Sequence, residues 1–151
     1  MQVRRAVGRS DAGAATAVYL RSRSAAGAAL PPLVHTEDEV RAWLADLVDQ
    51  GRTWVVDLNE QVAGMAVLQV GWIDQLYVDP DHQGRGLGSL LVDRAKALSP
   101  DGLDLWTFVT NERARAFYAE RGFVVVDASD DNEEGAPALR LHWCAWDGSR
   151  R

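Results

Sequence analysis

A chain of 151 residues, 47% hydrophobic and 25% charged, is expected to fold as one domain over 1–151, with a core large enough to need no metal or disulfide. Its net charge of −6 speaks against nucleic-acid binding through a broad basic face, and no apolar run approaches the roughly 20 residues of a membrane span. The single cysteine, Cys144, excludes an internal disulfide and a Cys-based zinc site; with no signal-peptide core after Met1-Gln2-Val3-Arg4-Arg5, a reducing, cytoplasmic location is expected.

Val3 to Val7 reads as a short strand, and Ser10 is placed to cap a helix running to about Leu20. Arg21 to His35, rich in Ser, Ala and Gly and ending in Leu30-Pro31-Pro32, reads as a loop between two helices. Thr36 and Glu39 form a capping box, and the helix they open carries an apolar stripe of Val40, Trp43, Leu44, Leu47 and Val48. After Gly51 the period changes. Thr53 to Leu58 and Gln61 to Val70 are strand-forming runs joined by Asn59-Glu60, an antiparallel hairpin.

Trp72 to Val78 is a further strand, ended by Asp79-Pro80. A glycine-rich turn leads into a helix from about Gly88 to Leu98, with Leu87, Leu90, Leu91, Ala95 and Leu98 on one face, and Ser99-Pro100-Asp101-Gly102 stops it. Leu103 to Val109 is a strand, Asn111 caps a helix over Glu112 to Arg121, and Gly122 suits its αL terminus. Phe123 to Val126 and Ala138 to Trp146 are the last strands, joined by an acidic loop. The order is β-α-α-β-β-β-α-β-α-β-β. The section from Trp72 to Val109 needs a parallel, right-handed crossover, so the fold class is α/β (α+β) with a mixed sheet and helices on its faces.

The turn after Val78 is the most informative segment. Gly84, Gly86 and Gly88 permit positive φ and remove the β-carbons that would block a ligand, between a strand and a helix N-terminus. Successive N–H groups can then converge on a phosphate or diphosphate. A P-loop would need a lysine before Ser89, and a dinucleotide fingerprint would space its glycines differently. A plain structural turn is the alternative reading.

Gln83-Gly84-Arg85-Gly86-Leu87-Gly88 resembles the Q/R-x-x-G-x-G/A signature of the GNAT superfamily of N-acyltransferases. Leu76-Tyr77-Val78 ahead of it and Ser89-Leu90-Leu91 after it are similar to that family's flanking strand and helix. Asn111, Ala114, Phe117-Tyr118 and Gly122-Phe123 resemble its second element at the usual distance downstream. The resemblance implies a mixed, mostly antiparallel central sheet of about seven strands with about four flanking helices. It also implies acetyl-CoA as cosubstrate, lying between the strands that end at Val78 and Val109. By position, the Leu76 N–H would face the thioester carbonyl as an oxyanion donor, and Val78 would pair with pantetheine amides. Gln83, Gly84, Arg85, Gly86, Leu87, Gly88 and Ser89 would hold the diphosphate, and Asn111 would act as a helix cap that also contacts the cofactor.

Tyr118 matches the family tyrosine that protonates the departing thiolate; an ordinary phenol has a pKa of ~10, close to that of an alkyl thiol. The alternative is an interfacial aromatic beside Phe117. Asp74 is the only carboxylate on the strand before the turn, two residues from Leu76 and so expected on the same face, as a general base or as a structural aspartate. His35, His82 and His142 show no metal spacing, so no metal is expected.

Asp127, Asp130, Asp131, Glu133 and Glu134 form either an acidic rim attractive to a cationic amine or an ordinary solvated loop. Trp43, Trp54, Trp106 and Trp143 are expected in the core, with Trp72 or Trp146 lining an acceptor pocket. No serine or cysteine nucleophile arrangement is visible, so direct transfer of an acetyl group to a primary amine in a ternary complex is expected. The alternatives are a non-catalytic acyl-CoA sensor and a protein lysine or N-terminal acetyltransferase. Monomer and homodimer both stay open, the latter through a terminal strand.

Overall fold

In the computed structural model, which describes residues 1–145, the chain runs β1 (Gln2–Arg5), α1 (Gly8–Ala26), α2 (Glu37–Asp49), β2 (Thr53–Leu58), β3 (Gln61–Gln69), β4 (Trp72–Val78), α3 (Leu87–Leu98), β5 (Leu103–Phe108), α4 (Glu112–Ala119), β6 (Val124–Ser129) and β7 (Ala138–Trp143). The order matches the sequence reading element for element. All seven strands form one sheet, β1-β2-β3-β4-β5-β7-β6, antiparallel except between β4 and β5.

Each face of the sheet is covered by one helix pair. Leu87, Leu91 and Val92 of α3 and Tyr118 of α4 pack with Leu103, Leu105 and Phe123. On the other face Val18 and Tyr19 of α1 and Val40 and Leu44 of α2 pack with Val55, Met65 and Val67. Alternation along β2 feeds both cores, Trp54 and Val56 to one and Val55 to the other. Fully buried leucines such as Leu44, Leu91 and Leu103 each contribute ~1.5–3 kcal/mol of transfer free energy.

Several boundaries differ from expectation, among them the ends of β1, at Arg5 rather than Val7, and of α4, at Ala119 rather than Arg121. α1 continues past Leu20 to Ala26, because Arg21 and Ser22 bond the β4–α3 junction: Arg21 Nη2 donates to Asp81 (2.6 Å) and Ser22 Oγ to the Val78 carbonyl (3.0 Å). Ser10 does not cap it; the N-cap is Val7, whose N–H donates to the Asp11 carboxylate (2.8 Å). The Thr36–Glu39 capping box is present. β6 extends through Asp127 to Ser129, pairing with β7 on both sides of a bulge at Val126, and β7 ends at Trp143. Trp146 lies outside the described residues.

Two irregularities shape the centre of the sheet. β4 and β5 register only at Trp72 and Asp104, where the Asp104 N–H donates to the Gly71 carbonyl (2.8 Å), and then separate. On its other side β4 slips against β3: Val67 pairs with Gln75 but Leu68 with Ile73, leaving Asp74 as the extra residue of a bulge.

Candidate active site

The separation of β4 from β5 leaves one strand edge open. Asp79 donates its N–H to the Ala63 carbonyl of β3 (2.8 Å), so by alternation Leu76 and Val78 turn their backbone groups the other way, into the cleft. The Val78 carbonyl there already accepts Ser22 Oγ, with Gln83 Nε2 at 3.5 Å; its N–H points the same way. The cleft has two lobes, of about 540 and 830 Å³, which share Leu30, Leu76, Tyr77, Asn111 and Ala114. Thr110 Oγ1 donates to the Ala29 carbonyl (2.9 Å), tying the α1–α2 loop to the β5–α4 turn across it.

The smaller lobe is built on the glycine turn. Gly84 and Gly86 adopt φ of 78° and 80°, and Gly86 is the N-cap of α3, so the first N–H groups of that helix open onto the lobe. A β-carbon at Gly88 would lie 3.0 Å from Phe117 Cζ, so any larger residue would have to push the Phe117 ring aside by a few tenths of an ångström where α3 meets α4. Ser89 Oγ accepts from Arg121, whose guanidinium also donates to the Phe117 carbonyl (2.7 Å). Arg121 lines this lobe and was missed in the sequence reading; its only signal was an i+3 spacing from Tyr118. Arg85 is exposed, and the amide of Gln83 folds back toward the end of β4. Backbone amides, a helix N-terminus and a guanidinium together fit a diphosphate, and the open edge of β4 fits an amide-bearing arm.

The larger lobe holds all three tyrosines of the chain, Tyr19, Tyr77 and Tyr118. Tyr118 is buried, edge-on to Phe117 (5.1 Å) and Phe123 (5.3 Å), and its hydroxyl makes no hydrogen bond among the described residues. Burial pushes its pKa well above the ordinary phenol value, so it holds its proton at neutral pH. Burial likewise lifts Tyr19 to about 12. Asn111 Oδ1 accepts from the Ala114 N–H (3.2 Å), as a helix cap, while its residue borders both lobes.

Asp74 reaches the larger lobe, but not by the route expected. The bulge breaks the two-residue alternation, and its carboxylate is ion-paired to Arg52 and accepts from Gln69 Nε2 (3.2 Å). Of the acidic loop, Glu133 and Glu134 line the lobe. Glu133 meets His35 Nε2 at 2.8 Å, and this hydrogen bond raises the imidazole pKa. Asp127 sits in β6 and accepts from the Ala128 N–H. The tryptophans are redistributed: Trp43 and Trp106, 38% and 45% exposed, line the lobe, whereas Trp72 packs under Arg140 (5.1 Å). Among the described residues no three His, Cys, Asp or Glu side chains gather as a metal site, and no helix is long and apolar enough to cross a membrane.

A glycine turn at a helix N-terminus, an open strand edge, and a second lobe meeting both at Leu76 are the features of an acyl-CoA-dependent acyltransferase. Residues 19–123 match the model of the acetyltransferase (GNAT) family. Peptidyl-lysine N-acetyltransferase YjaB of Salmonella typhimurium is 32% identical over 100 residues, covering 66% of this chain and 68% of that protein. The apo-form solution structure of YjaB from Escherichia coli matches with a TM-score of 0.76 at 28% identity, over 95% of this chain and 98% of that one. PaiA N-acetyltransferase from Thermoplasma acidophilum, solved with coenzyme A, shares the fold at a TM-score of 0.68 and 14% identity, over 95% and 98% of the two chains. The chain belongs to the GNAT acetyltransferase family and is an N-acetyltransferase that uses acetyl-CoA as cosubstrate.

Proposed function

We propose that this acetyltransferase passes the acetyl group directly to a cationic primary amine, with cosubstrate and acceptor bound together. The observation that carries the reading is the pair of lobes meeting at Leu76, Tyr77, Asn111 and Ala114, one lined by the glycine turn and the other by tyrosines and carboxylates. Acetyl-CoA supplies the activated thioester. The amides of residues 84–89, with Arg121, hold the diphosphate, and the Val78 N–H orients the arm. The Leu76 N–H hydrogen-bonds the thioester oxygen most strongly as negative charge grows on it.

The bound ammonium gives one proton to solvent to become the attacking amine; Tyr118 gives its proton to the sulfur as the C–S bond breaks and the C–N bond forms, and the second proton shed by the nitrogen restores the phenol. Glu133 and Glu134 raise the local concentration of a cation at the lobe mouth. The acceptor named for YjaB, a peptidyl lysine, is a cationic primary amine of this kind. Asp74, tied to Arg52, acts as a brace for the bulged strand rather than as the proton acceptor. The single cysteine fits a reducing, cytoplasmic setting.

The test is thiol release from acetyl-CoA across polyamines, arylamines, amino acids and lysine peptides. Turnover with cationic primary amines that collapses in Tyr118→Phe is expected. Binding of acetyl-CoA without thiol release for any amine would overturn the reading.

A further inference from the structure

Charges in the larger lobe are mostly spent on each other. Asp74 is paired with Arg52, and His35 with Glu133. Arg23 and Glu134 are different. Arg23 is half-buried on α1; one Nη donates to the Tyr77 hydroxyl (3.4 Å), the other to the Pro31 carbonyl (3.1 Å), and its guanidinium carbon lies 5.8 Å from the Tyr19 ring centre. A guanidinium has five N–H donors, so several are left, and no carboxylate pairs with it among the described residues. Glu134 reaches the same lobe from the β6–β7 loop and has no cationic partner among the described residues.

Both groups act on the same two phenols. Arg23 pulls the pKa values of Tyr19 and Tyr77 down, and Glu134 pushes them up. Arg23 thus touches both rings, Glu134 lines the lobe that holds them, and the two opposite charges are not paired with each other. A half-buried charge left without its counter-charge is costly, and a ligand that brings both signs removes the cost. The position also sets a length. Arg23 meets Tyr77 at its hydroxyl, a full tyrosine side chain away from the β4 backbone that presents the Leu76 N–H, so a group bound to Arg23 is several bonds from the reacting amine.

We infer that the acceptor is a free diamino acid: Arg23 binds its α-carboxylate, Glu134 faces its α-ammonium, and its distal primary amine is the one acetylated. This rests on the acceptor-lobe reading above and narrows it to a substrate class. The α-ammonium stays protonated. Only the distal ammonium is deprotonated: it releases one proton to solvent, forms the C–N bond, and sheds a second that balances the one taken up by the departing thiol.

The experiment compares L-lysine with cadaverine, which lacks the carboxylate, 6-aminohexanoate, which lacks the α-amine, and Nα-acetyl-lysine amide, which lacks both charges. kcat/KM for thiol release, and equilibrium binding to the CoA-saturated protein, are read as ratios within each variant. Lysine is expected to exceed each analogue by about tenfold or more, as charge-assisted hydrogen bonds of this kind require. Arg23→Gln should collapse the lysine-to-cadaverine ratio toward one while sparing the lysine-to-6-aminohexanoate ratio. Glu134→Gln should do the reverse. Arg23→Lys, which keeps the charge, should retain part of the first ratio and covers the case in which Arg23→Gln fails to fold. Cadaverine or the lysine amide serving as well as lysine, or ratios blind to both substitutions, would overturn the inference. In either case, thiol release from any of the four amines leaves the acetyl-transfer reading standing, and its absence from every amine sinks that reading separately.

Discussion

The guanidinium of Arg121 lies 3.7 Å from the centre of the Phe117 ring, with Nε 3.1 Å from the hydroxyl oxygen of Ser89 in the first turn of α3. Stacking and hydrogen bonds fix a positive charge beside the amides that open onto the smaller lobe. Arg121→Ala is expected to weaken acetyl-CoA binding by about tenfold, measured calorimetrically, as loss of a charge-assisted contact to phosphate does. Binding of S-acetyl-pantetheine, which has no diphosphate, should change little. An equal loss for both compounds would place Arg121 in the scaffold instead.

Tyr118→Phe removes a proton donor and little volume. A kcat decrease of roughly 10²–10⁴-fold is expected, with the KM for acetyl-CoA nearly unchanged. A fall in binding with kcat preserved would make the residue a packing aromatic.

The buried tyrosines also set an alkaline limit. Tyr19, Tyr77 and Tyr118 all have pKa values raised by burial, Tyr19 to about 12, above the ordinary phenol value of ~10. The folded state therefore holds these protons more tightly than the unfolded chain. Their contribution to stability is intact below pH ~10 and is lost as the pH climbs through the folded values. Tyrosinate absorbance should rise later in the folded protein than in denaturant. Coincident titrations would contradict the burial.

Asp74→Asn breaks the ion pair with Arg52 at the bulge. Both side chains are partly solvated, so a loss of about 1 kcal/mol or less is expected, a Tm decrease of ~2–4 °C at most. kcat should fall by less than about tenfold. A drop as deep as that of Tyr118→Phe, with the acid limb of the pH profile removed, would make Asp74 the base.

His35 and Glu133 join the α1–α2 loop to the β6–β7 loop over the larger lobe. The Glu133 hydrogen bond raises the His35 pKa, so the charged form and its bond are present below the ordinary value near 6.5 and fade as the pH rises through the raised value. The acceptor KM is expected to increase over that window in the native protein and to be flat there in His35→Gln. An unchanged profile in the variant would remove the strap from acceptor binding.

Much of this was legible beforehand. Each element shows its period locally: the Val40, Leu44, Leu47 and Val48 stripe, the hairpin around Asn59-Glu60, the glycines before α3. The failures have a common cause. Trp43 sits at the margin of an apolar stripe whose centre is buried, so the pattern assigned it to the core, yet it borders the larger lobe edge-on to Tyr19 (5.7 Å). Asp74 seemed to share a face with Leu76 because alternation was assumed through a position where the strand carries an extra residue. The length of α1 depends on contacts with Val78 and Asp81, some 56 and 60 residues away.

Side-chain chemistry and spacing over a few neighbours settled the element order, the glycine turn that opens α3 and the place of the tyrosine on the helix after Asn111, because those features are written in local backbone preference and period. Which strand edge stays open, and which charges meet in the larger lobe, was decided only by folding. Glu133 comes to His35 across 98 residues, and β4 parts from β5 after a single registered pair. Such pairings depend on the registers of remote strands and on loops closing over a cleft, and no short window of sequence carries either.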